Sequence, residues 1–149
     1  MNTRFCFVIV AVACCVGCGT NVPLSGTVTF SDDGSPVPAG TVCFANDAGY
    51  ARGQLDANGR YTLGYEKQGN GIPRGVYGVY VTGAQRPLGM SDEPGSVPGS
   101  KGGFMKYEEL IAKKFHARST SGITCTVDGS KNTFDFQVDR AEVSEQRRK

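Results

Sequence analysis

The stretch Leu55-Asp56-Ala57-Asn58-Gly59-Arg60-Tyr61-Thr62-Leu63 decides the fold class of this 149-residue chain. Asn58-Gly59 lies between two strand-like segments, and this dipeptide is the strongest short-range signal for a β-hairpin because both residues tolerate a positive φ. After it, Tyr61, Leu63 and Tyr65 fall on one face and alternate with other residues, as in a half-buried strand. The stretch therefore predicts two strands joined by a tight turn.

Segments with the same strand character recur along most of the chain and are separated by turn formers. Gly75–Thr82 carries β-branched and aromatic residues on both faces, which predicts a central strand. The 21 glycines and 7 prolines are typical of a chain with many turns. Seven strand-like segments indicate an all-β Greek-key sandwich, and they cover residues 24–30, 40–44, 50–55, 61–65, 75–82, 123–127 and 133–138.

Two regions depart from this strand pattern. Residues 85–103 are rich in Pro, Gly and Ser, which predicts a long exposed loop. Phe104, Tyr107, Ile111 and Phe115 recur at helical spacing, which predicts one short helix over residues 104–115.

The N-terminus has the pattern of a secretory signal. Residues 5–16 are almost wholly apolar and follow the positive charge of Arg4, but the run is too short to span a bilayer. Val16-Gly17-Cys18 resembles the lipobox of bacterial lipoproteins, which implies cleavage before Cys18 and acylation of Cys18, for example by palmitate. Two or three acyl chains would anchor the protein stably in a membrane.

We therefore divide the chain into four parts. Residues 1–17 are predicted to be the lipoprotein signal peptide, 18–22 a tether, 23–138 the sandwich domain, and 139–149 a charged, frayed tail. Cys14 and Cys15 offer alternative cleavage frames.

The net charge argues against one class of protein, and the positions of the cysteines limit the possible disulfides. The formal net charge of +2 argues against a nucleic-acid binder, which needs a concentrated basic face. Of the six cysteines, only Cys43 and Cys125 lie beyond the signal segment. Cys43 alternates with the inward Val42 and Phe44, whereas Cys125 is itself on an inward face. The pattern therefore favours two free thiols, with a disulfide as the alternative.

Sets of catalytic or metal-binding residues are not evident. His116 is the single histidine and is expected at the solvated end of the predicted helix. Asp56-Ala57-Asn58-Gly59 imitates part of a calcium loop but lacks the terminal glutamate. Adjacent Glu108 and Glu109 diverge on a helix. We expect no catalytic residue, no metal and no cofactor, and hence no enzyme.

Tyr50, Tyr65 and Tyr80 are the remaining candidates for a site. Exposed tyrosines on a sheet face form binding patches, but cross-strand packing is the interpretation we favour. The basic end of the chain, Arg147-Arg148-Lys149, is typical of a solvated terminus.

The order of short motifs resembles the carboxypeptidase regulatory-like domain of planctomycete-type bacterial lipoproteins. The resemblance implies a transthyretin-like (prealbumin-like) sandwich over roughly residues 22–138 and brings no catalytic residues with it. The matching motifs are Leu24-Ser25-Gly26-Thr27-Val28, Gly34-Ser35-Pro36, Gly40-Thr41-Val42-Cys43-Phe44, residues 55–63, Gly75-Val76-Tyr77-Gly78-Val79, Lys113-Lys114-Phe115, Ser121-Gly122-Ile123-Thr124 and Asn132-Thr133-Phe134-Asp135-Phe136.

Together these observations predict a secreted, lipid-anchored, non-enzymatic sandwich module of the cell envelope, on the periplasmic or the outer surface. Its partners would be the membrane and an envelope protein or glycan. Two alternatives stay open: a transthyretin-like hydrolase of small ureides, which needs a cluster of His, Arg and Ser, and a carrier of small molecules or carbohydrates.

Overall fold

The structure is a computed structural model that describes residues 21–65, 67, 69–91 and 104–142. Cys18, the predicted signal peptide and the end of the tail lie outside the described residues. None of the described helices is long and apolar enough to cross a membrane. The strands are β1 (Ser25–Phe30), β2 (Thr41–Ala45), β3 (Tyr50–Gln54), β4 (Arg60–Thr62), β5 (Gly75–Thr82), β6 (Gln85–Ser91), β7 (Phe104–Glu109), β8 (Ile123–Val127) and β9 (Phe136–Val138).

Two sheets form a β-sandwich, which confirms the predicted fold class. One sheet has four strands in the order β3-β2-β5-β8, and the other has three in the order β4-β1-β9. These seven strands are the seven predicted from the sequence. Their pairings are antiparallel except for β1 and β9, which run parallel with Val28 opposite Phe136.

The core lies between the two sheets and is rich in aromatic rings. Phe44 on β2 is completely buried. Its ring centroid lies 6.2 Å from that of Tyr61, 6.3 Å from that of Tyr77 and 5.9 Å from that of Phe134. Since Tyr61 belongs to the three-stranded sheet and Tyr77 to the four-stranded sheet, Phe44 joins the two halves of the core.

The Asn58-Gly59 turn forms as predicted, but the hairpin that it closes is short: Arg52 and Gly64 exchange backbone hydrogen bonds of 3.2 and 3.0 Å, and the main pairings of the two strands are with other strands. β3 pairs with β2, whereas β4 pairs with β1, so the turn carries the chain from one sheet to the other. Gly59 has a φ of 70°, and no non-glycine residue described has a positive φ. The carboxylate of Asp56 accepts the backbone N–H groups of Asn58 at 2.8 Å and Arg60 at 2.9 Å, and these bonds hold the turn.

The predicted loop is wrong for residues 85–91, since the rest of it, residues 92–103, lies outside the described residues, and the predicted helix is wrong for residues 104–109. Residues 85–91 and 104–109 pair as strands β6 and β7 of a two-stranded antiparallel sheet, here called the ribbon, with an irregularity between Pro87 and Gly89. The helical structure lies later, as a 3-10 turn (Lys113–His116) and α1 (Arg118–Ser121). Tyr107 fits both patterns, because it lies two residues from Met105, as in a strand, and three from Phe104, as in a helix. The partner strand therefore decides the structure.

Both predicted boundaries of the sandwich domain move outward. Val22, assigned to the tether, is buried and exchanges backbone hydrogen bonds of 2.8 and 2.9 Å with Ile72. At the other boundary, the Ala141 N–H donates to the carbonyl of Leu110 at 3.1 Å. The chain therefore stays in the fold beyond Val138, where the frayed tail was expected to begin.

Val22 and the ribbon lie at opposite ends of the sandwich. Val22 and Ile72 lie at the end where β5 begins, whereas the ribbon follows Thr82, where β5 ends. β6 and β7 contact each other, and the side chains of residues 85–89 are exposed. The ribbon therefore extends from the end farthest from Val22.

Candidate functional site

The outer surface of the four-stranded sheet carries a cluster of one thiol, two phenols, one guanidinium and one hydroxyl group. We call this set the tyrosine face; it consists of Cys43, Tyr50, Arg52, Tyr80 and Thr82. Cys43 on β2 lies opposite Arg52 on β3 and opposite Tyr80 on β5. Because successive side chains of a strand alternate, the inward direction of Val42 and Phe44 directs these residues outward.

The thiol of Cys43 lies at the centre of the tyrosine face. Its Sγ atom is 3.8 Å from Oη of Tyr50, 3.8 Å from Oγ1 of Thr82 and 3.7 Å from the carbonyl oxygen of Thr41. These neighbours leave only 2% of Cys43 exposed although it belongs to the outer surface, whereas 42% of Tyr50 remains exposed. The thiol is thus covered and the phenol is presented to solvent.

The two phenols of the tyrosine face are held in the neutral form. Partial burial raises the pKa of Tyr50, and the adjacent Cys43 raises it further. Partial burial also raises the pKa of Tyr80, again with a contribution from Cys43. Both hydroxyls therefore donate and accept hydrogen bonds at neutral pH and do not act as phenolates.

Arg118 borders the tyrosine face. It leads from the 3-10 turn into α1, and its Nη1 atom lies 3.1 Å from a carboxylate oxygen of Asp47. The side chain passes over Gly78, where a Cβ atom would lie 2.7 Å from Cγ of the arginine. Gly78 therefore makes room for this cation on the outer surface.

The structure brings two of the three candidate tyrosines together. Tyr50 and Tyr80 flank Cys43, whereas Tyr65 packs over Gly49, where an added Cβ atom would lie 2.7 Å from the tyrosine ring. Cys43 was not assigned to this site from the sequence. Its alternation with Val42 and Phe44 was the signal that could have placed it there.

Cys43 and Cys125 are both free, as the alternation of each strand predicts, and the structure buries both of them. Cys125 points into the core and is 6% exposed. Burial raises the pKa of its thiol. The two sulfur atoms lie on opposite faces of one sheet, so no disulfide forms between them.

His116 was expected at the solvated end of a helix; it does end the 3-10 turn, but its side chain is only 30% exposed and its Nε2 atom is buried. Its Nε2 atom lies 3.6 Å from Oε2 of Glu109. Glu108 and Glu109 do diverge, but they do so on strand β7, where Glu108 pairs with Arg86. The part of the chain that the structure describes contains no group of three or more His, Cys, Asp or Glu side chains that could hold a metal ion.

A polar groove of about 380 Å³ crosses the outer surface of the three-stranded sheet. Its carboxylate, Asp135, accepts the backbone N–H of Thr27 at 2.7 Å, and the Tyr61 hydroxyl donates to the carbonyl of Phe134 at 2.6 Å. Gly26 allows this close approach, because a Cβ atom there would lie 2.0 Å from the Phe134 oxygen. The polar groups of the groove thus complete the sheet in place of regular backbone pairing.

Comparisons with known proteins identify similar structures but no family. No protein-family model and no curated protein sequence matches the chain. The major pilin subunit of Bacillus cereus is similar in structure over 83% of this chain, with 14% sequence identity and a TM-score of 0.45. A 9R-lipoxygenase from Cyanothece is similar over 79% of this chain, with 17% identity and a TM-score of 0.34. The chain spans only 30% of the pilin and 16% of the lipoxygenase.

Proposed function

We propose that this protein is a lipid-anchored, non-enzymatic β-sandwich module of the bacterial cell envelope that binds an envelope glycan through its tyrosine face. The observation that carries the binding role is the exposed Tyr50 beside Tyr80, held over a covered thiol on a rigid sheet. Aromatic faces pack on the apolar faces of sugars, while the phenol hydroxyls, Thr82 and Arg52 supply hydrogen bonds.

The small number of residues between Cys18 and Val22 supports a short anchor. From Cys18 to Val22 the chain covers four residue steps, which reach at most ~14 Å when fully extended. An acylated Cys18 would therefore hold the Val22–Ile72 end of the sandwich beside the lipid headgroups. The sheet faces would stand along the sides of the anchored module, and the ribbon would lie at the far end.

The contacts of Cys43 support a non-enzymatic role. A nucleophilic cysteine needs a base or a positive charge that stabilises its thiolate. The polar contacts of Sγ within the described residues are with Thr41, Tyr50 and Thr82, and none of these groups acts as a base at neutral pH. The guanidinium of Arg52 is not among these contacts, and Cys43 is only 2% exposed.

The anchor is tested by replacing Cys18 with alanine in the full chain. We expect Cys18→Ala to lose incorporation of labelled palmitate and to leave the membrane fraction. Cys14→Ala and Cys15→Ala are the matched controls and should retain both properties. Membrane-bound, labelled Cys18→Ala protein would contradict the anchor.

The binding role is tested with purified envelope glycans and single tyrosine variants. We expect Tyr50→Ala and Tyr80→Ala to weaken binding by about tenfold or more, as is usual for aromatic residues at the centre of an interface. Tyr107→Ala is the matched control, because Tyr107 is an exposed tyrosine of the ribbon. Equal binding by all three variants, or no binding by the parent chain, would contradict the glycan proposal.

A further inference from the structure

The base of the ribbon contains two buried polar atoms that face each other without a hydrogen bond. They are Oε2 of Glu109 and Nε2 of His116, 3.6 Å apart. The two side chains as a whole are 37% and 30% exposed, respectively. Within the described part of the chain, neither atom has another hydrogen-bonding partner. A carboxylate oxygen and an imidazole nitrogen are therefore positioned for a contact that a proton would complete.

The two residues belong to successive elements, the ribbon and the 3-10 turn, which residues 110–112 join. Glu109 ends β7, and its second carboxylate oxygen accepts a hydrogen bond of 2.5 Å from Nε2 of Gln85 at the start of β6. His116 ends the 3-10 turn, which is held in the core by the buried Phe115. A bond between Glu109 and His116 would thus connect both strands of the ribbon to the sandwich.

Protonation changes the strength of this contact. A protonated imidazole donates from both nitrogens and carries a charge, whereas a neutral one donates from only one nitrogen. Imidazoles gain their proton within the range of about pH 5 to 8, where glutamate is ionised. A contact between an imidazole and a carboxylate therefore strengthens as the pH falls through this range and weakens as the pH rises through it.

The other charged groups around His116 are exposed or paired with different partners, so Glu109 is the carboxylate that faces the imidazole. On the same turn, Lys113 is exposed and Lys114 pairs with Asp139. Arg118 on α1 pairs with the carboxylate of Asp47. Arg86 on β6 pairs with the carboxylate of Glu108. On β5, against which the turn packs, the titratable groups are Tyr77 and Tyr80.

We propose that Glu109 and His116 form a proton-dependent clasp that fixes the base of the ribbon to the 3-10 turn in mildly acidic conditions and releases it in mildly alkaline ones. The clasp is a regulatory contact and does not depend on the anchor or on the tyrosine face. It would set how rigidly the far end of the module is presented.

Hydrogen exchange on the full chain in detergent tests the clasp. The reporter is the amide of Leu110, which donates to the carbonyl of Ala84 at 2.8 Å across the base of the ribbon. We expect its protection factor, corrected for intrinsic exchange, to rise about threefold to tenfold between pH 8 and pH 5.5. Equal protection at the two pH values would overturn the proposal.

Two isosteric variants separate the clasp from general effects of pH. Glu109→Gln should abolish the pH dependence of Leu110 protection, whereas Glu108→Gln, on the same strand but facing Arg86, should retain it. A retained pH dependence in Glu109→Gln, or its loss in Glu108→Gln, would overturn the clasp.

Discussion

The sandwich and the ribbon are both built from strands, but apolar side chains are buried in the sandwich and exposed in the ribbon. In the sandwich, inward residues of β2 and β5 such as Val42, Phe44 and Val79 are completely buried. In the ribbon, Leu88 is 50% exposed and Tyr107 57% exposed. The sandwich has a second sheet to cover its apolar face, whereas within the described residues the ribbon has none.

This difference indicates that the stability of a strand depends on burial of its apolar side chains and not on strand pairing alone. Burial of apolar surface dominates the free energy of folding, and an isolated two-stranded sheet is at best marginally stable in water. The ribbon is therefore expected to depend on its attachment at Gln85 and Glu109. The sandwich is expected to be stable without the ribbon's apolar side chains.

The largest loss of stability is expected where the core joins the two sheets. Phe44→Ala removes a completely buried ring that contacts aromatic residues of both sheets, and this should lower the free energy of unfolding by about 3–5 kcal/mol. Chemical denaturation followed by circular dichroism measures this loss. A loss below about 1 kcal/mol would mean that the core does not unite the sheets in the way the structure indicates.

A smaller loss is expected at the edge of the three-stranded sheet. Tyr61→Phe keeps the buried ring but removes the hydroxyl that donates to the carbonyl of Phe134. An unsatisfied carbonyl costs about 1–3 kcal/mol, and we expect a loss in this range by the same denaturation assay. Tyr107→Phe in the ribbon is the matched control and should have no measurable effect, because that side chain is exposed.

A pH-dependent effect is expected at the turn after β1. Arg140 lies over the ring of Phe30 and bonds to Asp32 at 2.6 Å and to Asp33 at 2.7 Å. Hydrogen bonds from Ser35, together with Arg140, lower the pKa of Asp33 from 3.8 to about 2. A lowered pKa stabilises the fold above about pH 4, and this stabilisation is lost as the pH falls towards 2.

Arg140→Ala should therefore lower the melting temperature by a few degrees at pH 7, and its difference from the parent chain should shrink between pH 4 and pH 2. Arg86→Ala, which breaks an ion pair of the ribbon, is the control and should change the melting temperature little. A constant difference for Arg140→Ala down to pH 2 would show that the carboxylates do not contribute.

The sequence predicts the sandwich strands because each carries its own periodic signal. In β1, β2 and β5 the inward residues alternate with outward ones, and this alternation survives in the structure. The ribbon lacks such a signal, since Pro87 and Gly89 interrupt β6 and the spacing of the aromatic residues in residues 104–115 also fits a helix. Its pairing joins residues about twenty positions apart along the chain and depends on contacts that a local pattern does not contain.

The candidate site is predictable only in part, for a related reason. Tyr50 and Tyr80 can be recognised as outward residues of their strands, but their proximity depends on the order β3-β2-β5. Cys43 belongs between them only once that order is known. The contact between Glu109 and His116 was not predicted because Glu109 was assigned to a helix that does not form.

The smallest effect on the free energy of unfolding is expected in the ribbon. It tests directly whether the exposed apolar side chains of the ribbon contribute to folding. Leu88→Ser and Tyr107→Ser replace exposed apolar side chains with polar ones, and each should change the free energy of unfolding by no more than about 0.5 kcal/mol. Chemical denaturation measures the change, and Phe44→Ala gives the scale of a buried ring. If either ribbon variant lost several kcal/mol, its side chain would have to be buried in the folded protein, and the contrast with the sandwich would fail. If both remain as stable as the parent chain, the apolar side chains of the ribbon are dispensable for folding.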